Sequence, residues 1–345
     1  MKNILNLIFG LSLSTFTFGQ DLHFAQSNQT PMFINPGAVG VYDGWERVII
    51  NHRNQWLGAG TQFMTTAIGA DINLGKSRFN DKAHLGLGIL FFNDVGGDSK
   101  FGNQAGSLTL SGILPMGRSG HVLSIGIQGG VGQRKATLTN VSFMSQWDGE
   151  RFNPLLSGES NPLVSFNYFD ASAGVYYVFN GGQNSFQGNS DFKLKIGVSG
   201  FHLNQPKLKY AGGEAEPLYR KYVGHIGIVK EFSGSPFAID VNGVQFIQSG
   251  HNETLLGAML RYRFENGTKI TGHTQKAFFG IGTYYRYKDA IIPSIMIDWR
   301  GFQFGISYDV TISELRKAYG GGSLEFSLSF RNLDHSIFKT RKRRF

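Results

Sequence analysis

The chain has 345 residues, 33 Lys and Arg against 24 Asp and Glu for a net charge of +9, and no cysteine. Disulfides, thiol catalysis and cysteine-ligated metals are therefore excluded. Glycine stands at 47, about double its usual ~7% share, with 30 Phe, 13 Tyr and only 17% charged residues. So much aromatic character excludes a disordered chain. The basic balance does not point to nucleic acid, because the interior Lys and Arg are scattered and only Lys339, Arg341, Lys342, Arg343 and Arg344 form a run.

In chain order, residues 1–20 read as a secretory signal that is removed: Lys2 supplies the positive charge, Ile4 to Phe18 the apolar core, and Thr17-Phe18-Gly19 a small-residue exit beside Gln20. No run of 18 or more apolar residues follows, so no helical membrane span is expected. Residues 21–45 are rich in Asn, Gln, Pro and Gly and show no periodicity. They form either a periplasmic lead-in or a segment tucked inside the structure that follows.

From residue 46 onward the dominant signal is alternation. Phe302, Phe304, Ile306, Tyr308 and Val310 share one face, with Gly301, Gln303, Gly305, Ser307 and Asp309 on the other. Leu324, Phe326, Leu328 and Phe330 repeat the pattern against Ser323, Glu325, Ser327, Ser329 and Arg331. Period two marks strands with one oily and one wet face. No amphipathic helix in the sequence could cover the oily face, so it is expected to meet outer-membrane lipid while the wet face lines a closed barrel.

Fourteen candidate strands can be placed, at 46–55, 62–73, 83–93, 103–114, 121–135, 166–179, 192–202, 220–231, 236–247, 253–264, 275–287, 290–299, 301–310 and 322–331. Most have the length a tilted strand needs to cross a bilayer, and an even number suits a bacterial outer-membrane barrel. The strand around Leu123 alternates cleanly. The one at 275–287 has mixed faces, and the one at 236–247 slips phase near Gly243 as a bulge would. With both ends in the periplasm, the long connections at 136–165 and 203–219 become extracellular. Trp56, Tyr284, Tyr287 and Trp299 fall near strand ends, where an aromatic girdle would sit. The expected fold is one all-β domain, a transmembrane antiparallel β-barrel of about fourteen strands over 46–331, followed by a basic tail at 332–345.

Motifs for soluble chemistry are weak. Ala70-x-x-x-x-Gly75-Lys76-Ser77 matches a relaxed phosphate loop, but the residues after it are too few for the helix such a loop requires. It reads as a periplasmic turn. His251-x-Glu253 lacks the cysteines of a zinc deaminase, and the nine histidines show no metal-ligand spacing. Gly126, Gly129, Gly130 and Gly132 echo a nucleotide fingerprint, yet they lie within an alternating strand, where glycine allows curvature or close packing against a plug. Ser124 and Ser307 have no His placed to activate them. No cofactor, metal or catalytic residue is expected.

The inward charges form the candidate site. By phase, Arg47, Arg53, Arg261, Arg263, Arg300 and Arg331 share the lumen with Glu253, Asp298, Asp309 and Glu325. A buried charge is costly unless paired, so these side chains are expected to brace the interior as ion pairs across adjacent strands. In particular, Asp309 and Glu325 are expected to pair with Arg300 or Arg331. A selective pore lining is the competing reading. The basic tail is read as solvated, or as a dock for anionic partners.

The segment Gln20-Asp21-x-His23-Phe24-x-Gln26, then Pro31 and Asn35-Pro36-Gly37-Ala38, resembles the N-terminal signature of the PorP/SprF family of the Bacteroidetes type IX secretion system. Arg53-Asn54-Gln55-Trp56, Phe169-Asp170-x-x-Ala173-Gly174, Gly197-x-Ser199-x-x-His202-Leu203-x-x-Pro206 and Tyr308-Asp309 with Leu315 and Gly320 extend the similarity over nearly the whole mature chain. Gly37 departs from the Ala more usual after Asn-Pro, and the tail lacks the cysteine seen in many members. The resemblance implies a non-enzymatic outer-membrane barrel that works with other secretion and gliding subunits. It also implies a role in export or surface retention of large adhesins through their C-terminal domains. A porin-like or hydrophobic-solute transport barrel is the alternative.

Overall fold

A strand with one apolar and one polar face must hide its backbone hydrogen-bonding groups if it is to sit in lipid, and closing the sheet on itself leaves no edge unpaired. The computed structural model takes that form. It describes residues 23–55, 63–76, 82–97, 99–117, 120–136, 141–156, 165–181, 192–208, 215–265, 277–314, 322–333 and 336. The signal segment, Trp56, Ser77, Leu315, Gly320 and the run Lys339 to Arg344 lie outside the described residues.

The first seven strands are β1 (Glu46–Gln55), β2 (Phe63–Leu74), β3 (His84–Gly96), β4 (Phe101–Met116), β5 (His121–Lys135), β6 (Phe166–Asn180) and β7 (Phe192–Phe201). Two short strands, β8 (Lys207–Leu208) and β9 (Glu216–Pro217), pair as a separate hairpin in the next connection. The ring resumes with β10 (Lys221–Glu231), β11 (Phe237–Gln248), β12 (His251–Glu265), β13 (Ala277–Arg286), β14 (Ala290–Trp299), β15 (Phe302–Thr311) and β16 (Ser323–Arg331). These fourteen strands form a closed barrel, sealed where β1 pairs antiparallel with β16 from Arg47 opposite Arg331 to Asn54 opposite Leu324. Every one of the fourteen expected segments is a wall strand.

The alternation decides the faces. Leu108, Ile127 and Val131 are more than 60% exposed on the outside, while Ser111 and Ser124 on the same two strands are at most 1% exposed within. An outer belt of Leu, Ile, Val and Phe around a ring of satisfied backbone is the surface an acyl-chain environment selects. The chain begins β1 and ends β16 at one mouth, and the two longest connections, between β5 and β6 and between β7 and β10, leave the other. Outer-membrane barrels carry their longer loops outside, so the mouth holding the strand termini is periplasmic.

Two local expectations are corrected. The ladder runs through Gly243 without a shift, opposite Ile226 on one side and Leu256 on the other; the register irregularity lies instead between Arg263 and Glu265. The apparent slip in β11 arises because Val244 and Phe246 are apolar residues that face inward, packed with Ile34 of the N-terminal segment. Tyr284 likewise does not join an aromatic girdle. It points into the lumen, 2% exposed, and its hydroxyl donates to Asn28 Oδ1 at 2.8 Å.

Candidate functional site

A fourteen-stranded ring is wider than its own inward side chains can fill, and here residues 23–45 occupy the lumen. Local chemistry shapes this segment into turns. Pro31 opens the single-turn helix α1 (Pro31–Ile34), a position where its missing N–H costs nothing. Asn35 then accepts the Gly37 N–H on its side-chain oxygen at 2.8 Å and starts the 3-10 turn Pro36–Ala38.

The wall holds this segment by its backbone. Glu325, fully buried, accepts the Ala25 N–H at 2.8 Å and the Gln26 N–H at 2.9 Å, one on each carboxylate oxygen. Asn35 Nδ2 donates to the carbonyls of Val175 (2.9 Å) and Val198 (3.2 Å), bridging β6 and β7. Ser199 donates to the Ile34 carbonyl and Ser111 to that of Val39, while Asp71 accepts the Gly40 N–H at 2.8 Å. Gln26 and Gln29 bond one another and Ser327, and Gln26 Nε2 donates to Ser307. The two serines singled out in the sequence thus differ: Ser307 holds the segment, and Ser124 is buried on the inner wall.

Apolar contacts fill the gaps between these bonds. Ala25 packs with Leu255, Tyr284, Ala290 and Ile292; Ile34 with Phe201, Val223, Val244 and Phe246; and Met32 and Val39 with Ile49. Each fully buried large aliphatic side chain contributes about 1.5–3 kcal/mol relative to exposure. Gly126 permits the closest approach of the segment's backbone, since a Cβ there would stand 2.3 Å from the Pro36 carbonyl oxygen.

The ten charges expected to brace the lumen take the following places. Arg47 forks onto Asp71, with Nη2 to Oδ2 at 2.7 Å and Nε to Oδ1 at 2.9 Å. Arg53 reaches Asp309 at 3.1 Å and also donates to the His23 carbonyl. Asp309 is shared with Arg286 at 2.8 Å. Glu253 meets His23 at 3.2 Å and Arg286 at 3.6 Å. Asp298 takes Arg331 at 2.8 Å and Arg261 at 3.7 Å, and Arg261 also faces Asp240 at 3.9 Å. Arg263 pairs with Glu231 at 3.1 Å.

The specific partners expected for Asp309 and Glu325 are not those seen. Arg300 sits on the β14–β15 turn, half exposed, over the Trp299 ring and 3.5 Å from Glu265, so it belongs to the rim of the periplasmic mouth and not to the lumen. Glu325 binds backbone amides in place of a guanidinium. Several pairs skip a strand: β1 to β15, β13 to β15, and β16 to β14. Neighbouring strands lie ~4.8 Å apart, so an extended arginine reaches over one neighbour more readily than it folds onto it. Sequence reading missed Asp71, Asp240 and Arg286. Asp71 was accessible by phase, inward on β2, whereas Arg286 lies in the strand whose mixed faces hid its orientation.

At the periplasmic mouth the segment is tied again. Tyr42 donates to the carbonyls of Trp45 (3.0 Å) and Asp71 (2.8 Å), and burial, with Asp71 beside it, pushes its phenol well above the usual value. Lys193, 3.0 Å from Asp43, holds that carboxyl well below the usual carboxylate range. Lys76 donates to the Tyr42 and Gly44 carbonyls, and burial lowers its pKa. The phosphate-loop pattern is therefore a turn whose lysine grips the segment. At the far mouth, the β5–β6 connection carries a 3-10 turn, Met144–Gln146, and a Trp147–Phe152 bridge. Met144 is 88% and Leu155 92% exposed there.

Among curated proteins none matches the chain. Among solved structures it is similar to CdiB from Acinetobacter baumannii, at 11% identity and TM-score 0.43, over 84% of this chain and 60% of that one. It is also similar to the beta domain of the Bordetella autotransporter BrkA, at 8% identity and TM-score 0.43, over 85% of this chain and all of that one. The monoaromatic hydrocarbon channel TodX is similar at 9% identity and TM-score 0.38, over 86% of this chain and 92% of that one. The description "Type IX secretion system membrane protein PorP/SprF" belongs to a family whose sequence profile matches residues 16–330. With that span taking in the lumen segment and all but the last residue of the barrel wall, the chain belongs to the PorP/SprF family of type IX secretion system membrane proteins, and it is an outer-membrane β-barrel.

Proposed function

We propose that this barrel is a non-enzymatic component of the type IX secretion and gliding machinery. In this role it aids the export or surface retention of large adhesins by binding their C-terminal domains and other subunits of the machine. Residues 23–45 keep the lumen shut, nine of the ten charges (all but Arg300) brace it together with Asp71, Asp240 and Arg286, and the loops 136–165 and 203–219 present the partner surface. The observation that carries this reading is the occupied lumen. A transport barrel needs a path through its middle, and here the middle is filled by the chain's own segment, bonded to the wall by backbone amides and carbonyls at Ala25, Gln26, Ile34 and Val39. The exposed Met144, Trp147 and Leu155 support a contact surface at the outer mouth, since apolar side chains at a loop tip gain by being covered.

The experiment is retrieval of the tagged protein from its own outer membrane, with identification of the chains that come with it. Secretion subunits or an adhesin C-terminal domain should accompany it, and Met144→Ser with Leu155→Ser should reduce their yield while barrel folding is retained. A steady open pore in planar bilayers with no associated chains would replace this reading with solute transport.

A further inference from the structure

Between the lumen segment and the periplasmic mouth lies a cavity of about 250 Å³. Its lining includes five cationic side chains, Arg47, Lys76, Lys193, Lys195 and Arg331, against the single carboxylate of Asp43. Four of the cations have partners: Arg47 on Asp71, Lys193 on Asp43, Arg331 on Asp298, and Lys76 on two carbonyls. The Lys195 ammonium makes no hydrogen bond and no ion pair within 4.0 Å among the described residues. The carboxylate acting on it, Asp240, is already engaged by Asn242 at 2.7 Å and by Arg261 at 3.9 Å.

A second polar group beside it is also unmatched. His225 lines the same cavity, stacked on Tyr176 at 5.3 Å, and both its ring nitrogens are enclosed without a hydrogen-bond partner among the described residues. Lys195 stands opposite Gly227 and His225 opposite Gly197, so the two are diagonal neighbours on adjoining strands β7 and β10. An imidazole always carries at least one N–H, and an ammonium three. The Lys195 ammonium is not shut in as the imidazole nitrogens are, because the residue is only partly buried, and it faces the cavity unpartnered; an oxyanion there meets it in a field that the surrounding cations make positive.

We propose that the periplasmic vestibule binds a small soluble oxyanion of the phosphate class, held by Lys195 Nζ, with Lys193 and Arg331 adding long-range attraction. The barrel wall separates the cavity from lipid, so the ligand enters from the periplasm.

The test is calorimetric titration of the full chain in detergent micelles with inorganic phosphate, against chloride at matched ionic strength. One saturable site per barrel is expected, weakened about tenfold or more by Lys195→Gln, as loss of a charge-assisted hydrogen bond requires. Lys195→Arg and the exposed control Lys207→Gln should retain it, and so should His225→Gln, whose ring nitrogens do not reach the cavity. Absence of saturable phosphate binding in the wild type overturns the proposal. So does unchanged affinity in a Lys195→Gln barrel that still shows the heat-dependent gel mobility of a folded barrel. Preferential binding of a short-chain phosphatidylglycerol over inorganic phosphate would transfer the site to a lipid head group and overturn the soluble assignment.

Discussion

At Asp309 one carboxylate oxygen receives both Arg53 and Arg286, with the residue 1% exposed. Removing one member of such a buried group leaves the others uncompensated, which costs about 3–5 kcal/mol. Asp309→Asn should therefore lower the barrel's resistance to urea by that order, measured by the unfolding midpoint in micelles. Arg300→Gln should change it by no more than about 1 kcal/mol, because that exposed pair is screened by solvent. Glycine offers a second contrast. Gly126→Ala drives a methyl group into the Pro36 carbonyl, which is backbone and cannot swing aside, whereas Gly112 has open space where its Cβ would go. Protease access to residues 23–45 should rise in Gly126→Ala and stay at the wild-type level in Gly112→Ala. Equal protection in both would show that the wall does not need glycine at that contact.

Strands and segments obey a different logic from single residues. Each wall strand was legible because its two faces meet opposite solvents: Leu108 and Leu110 face lipid while Thr109 and Ser111 face the interior. Legibility fell where the lumen is apolar. Val244, Phe246 and Tyr284 broke the alternation not through a bulge but because Ile34, Ala25 and Asn28 lie against them. The segment itself was invisible to periodicity, since its turns rest on Asn35 and Pro31 and on bonds to residues up to 301 positions away. Ion-pair partners were hidden for a related reason: phase gives the face of a strand, but only the packed ring shows that Arg53 reaches past β16 to Asp309.

The segment's tie at the periplasmic mouth gives a pH prediction. Asp43 has its carboxyl lowered by Lys193, so its stabilising effect is complete above the unfolded value near ~4 and is lost as pH falls below that toward the folded value. The stability gap between wild type and Asp43→Asn should be flat from neutral pH to about 4 and close below it. With Asp43 58% exposed, added salt should shrink the gap as well.

For the whole molecule, width and occupancy pull in opposite directions. Fourteen strands enclose more space than inward side chains alone can fill, and the same inner wall carries Val244, Phe246, Leu255 and Ile292, which gain nothing from facing water. A bare ring would thus be both open and less stable; the lumen segment removes both conditions through one set of contacts. Asn35 is the position at which to separate them, because its amide donates to two carbonyls on neighbouring strands. Asn35→Asp replaces that donor with an acceptor facing two acceptors, a cost of at least about 1–3 kcal/mol at a fully buried site, while the barrel ladder itself is untouched. In planar bilayers the wild-type protein should show no steady current and Asn35→Asp should show intermittent openings. Deletion of residues 23–40 should give a continuous conductance together with a lower unfolding midpoint. Continuous current through the intact chain, unchanged by the deletion, would mean that the segment does not obstruct the lumen. A closed barrel whose deletion variant is equally stable would mean instead that its apolar inner face finds another cover.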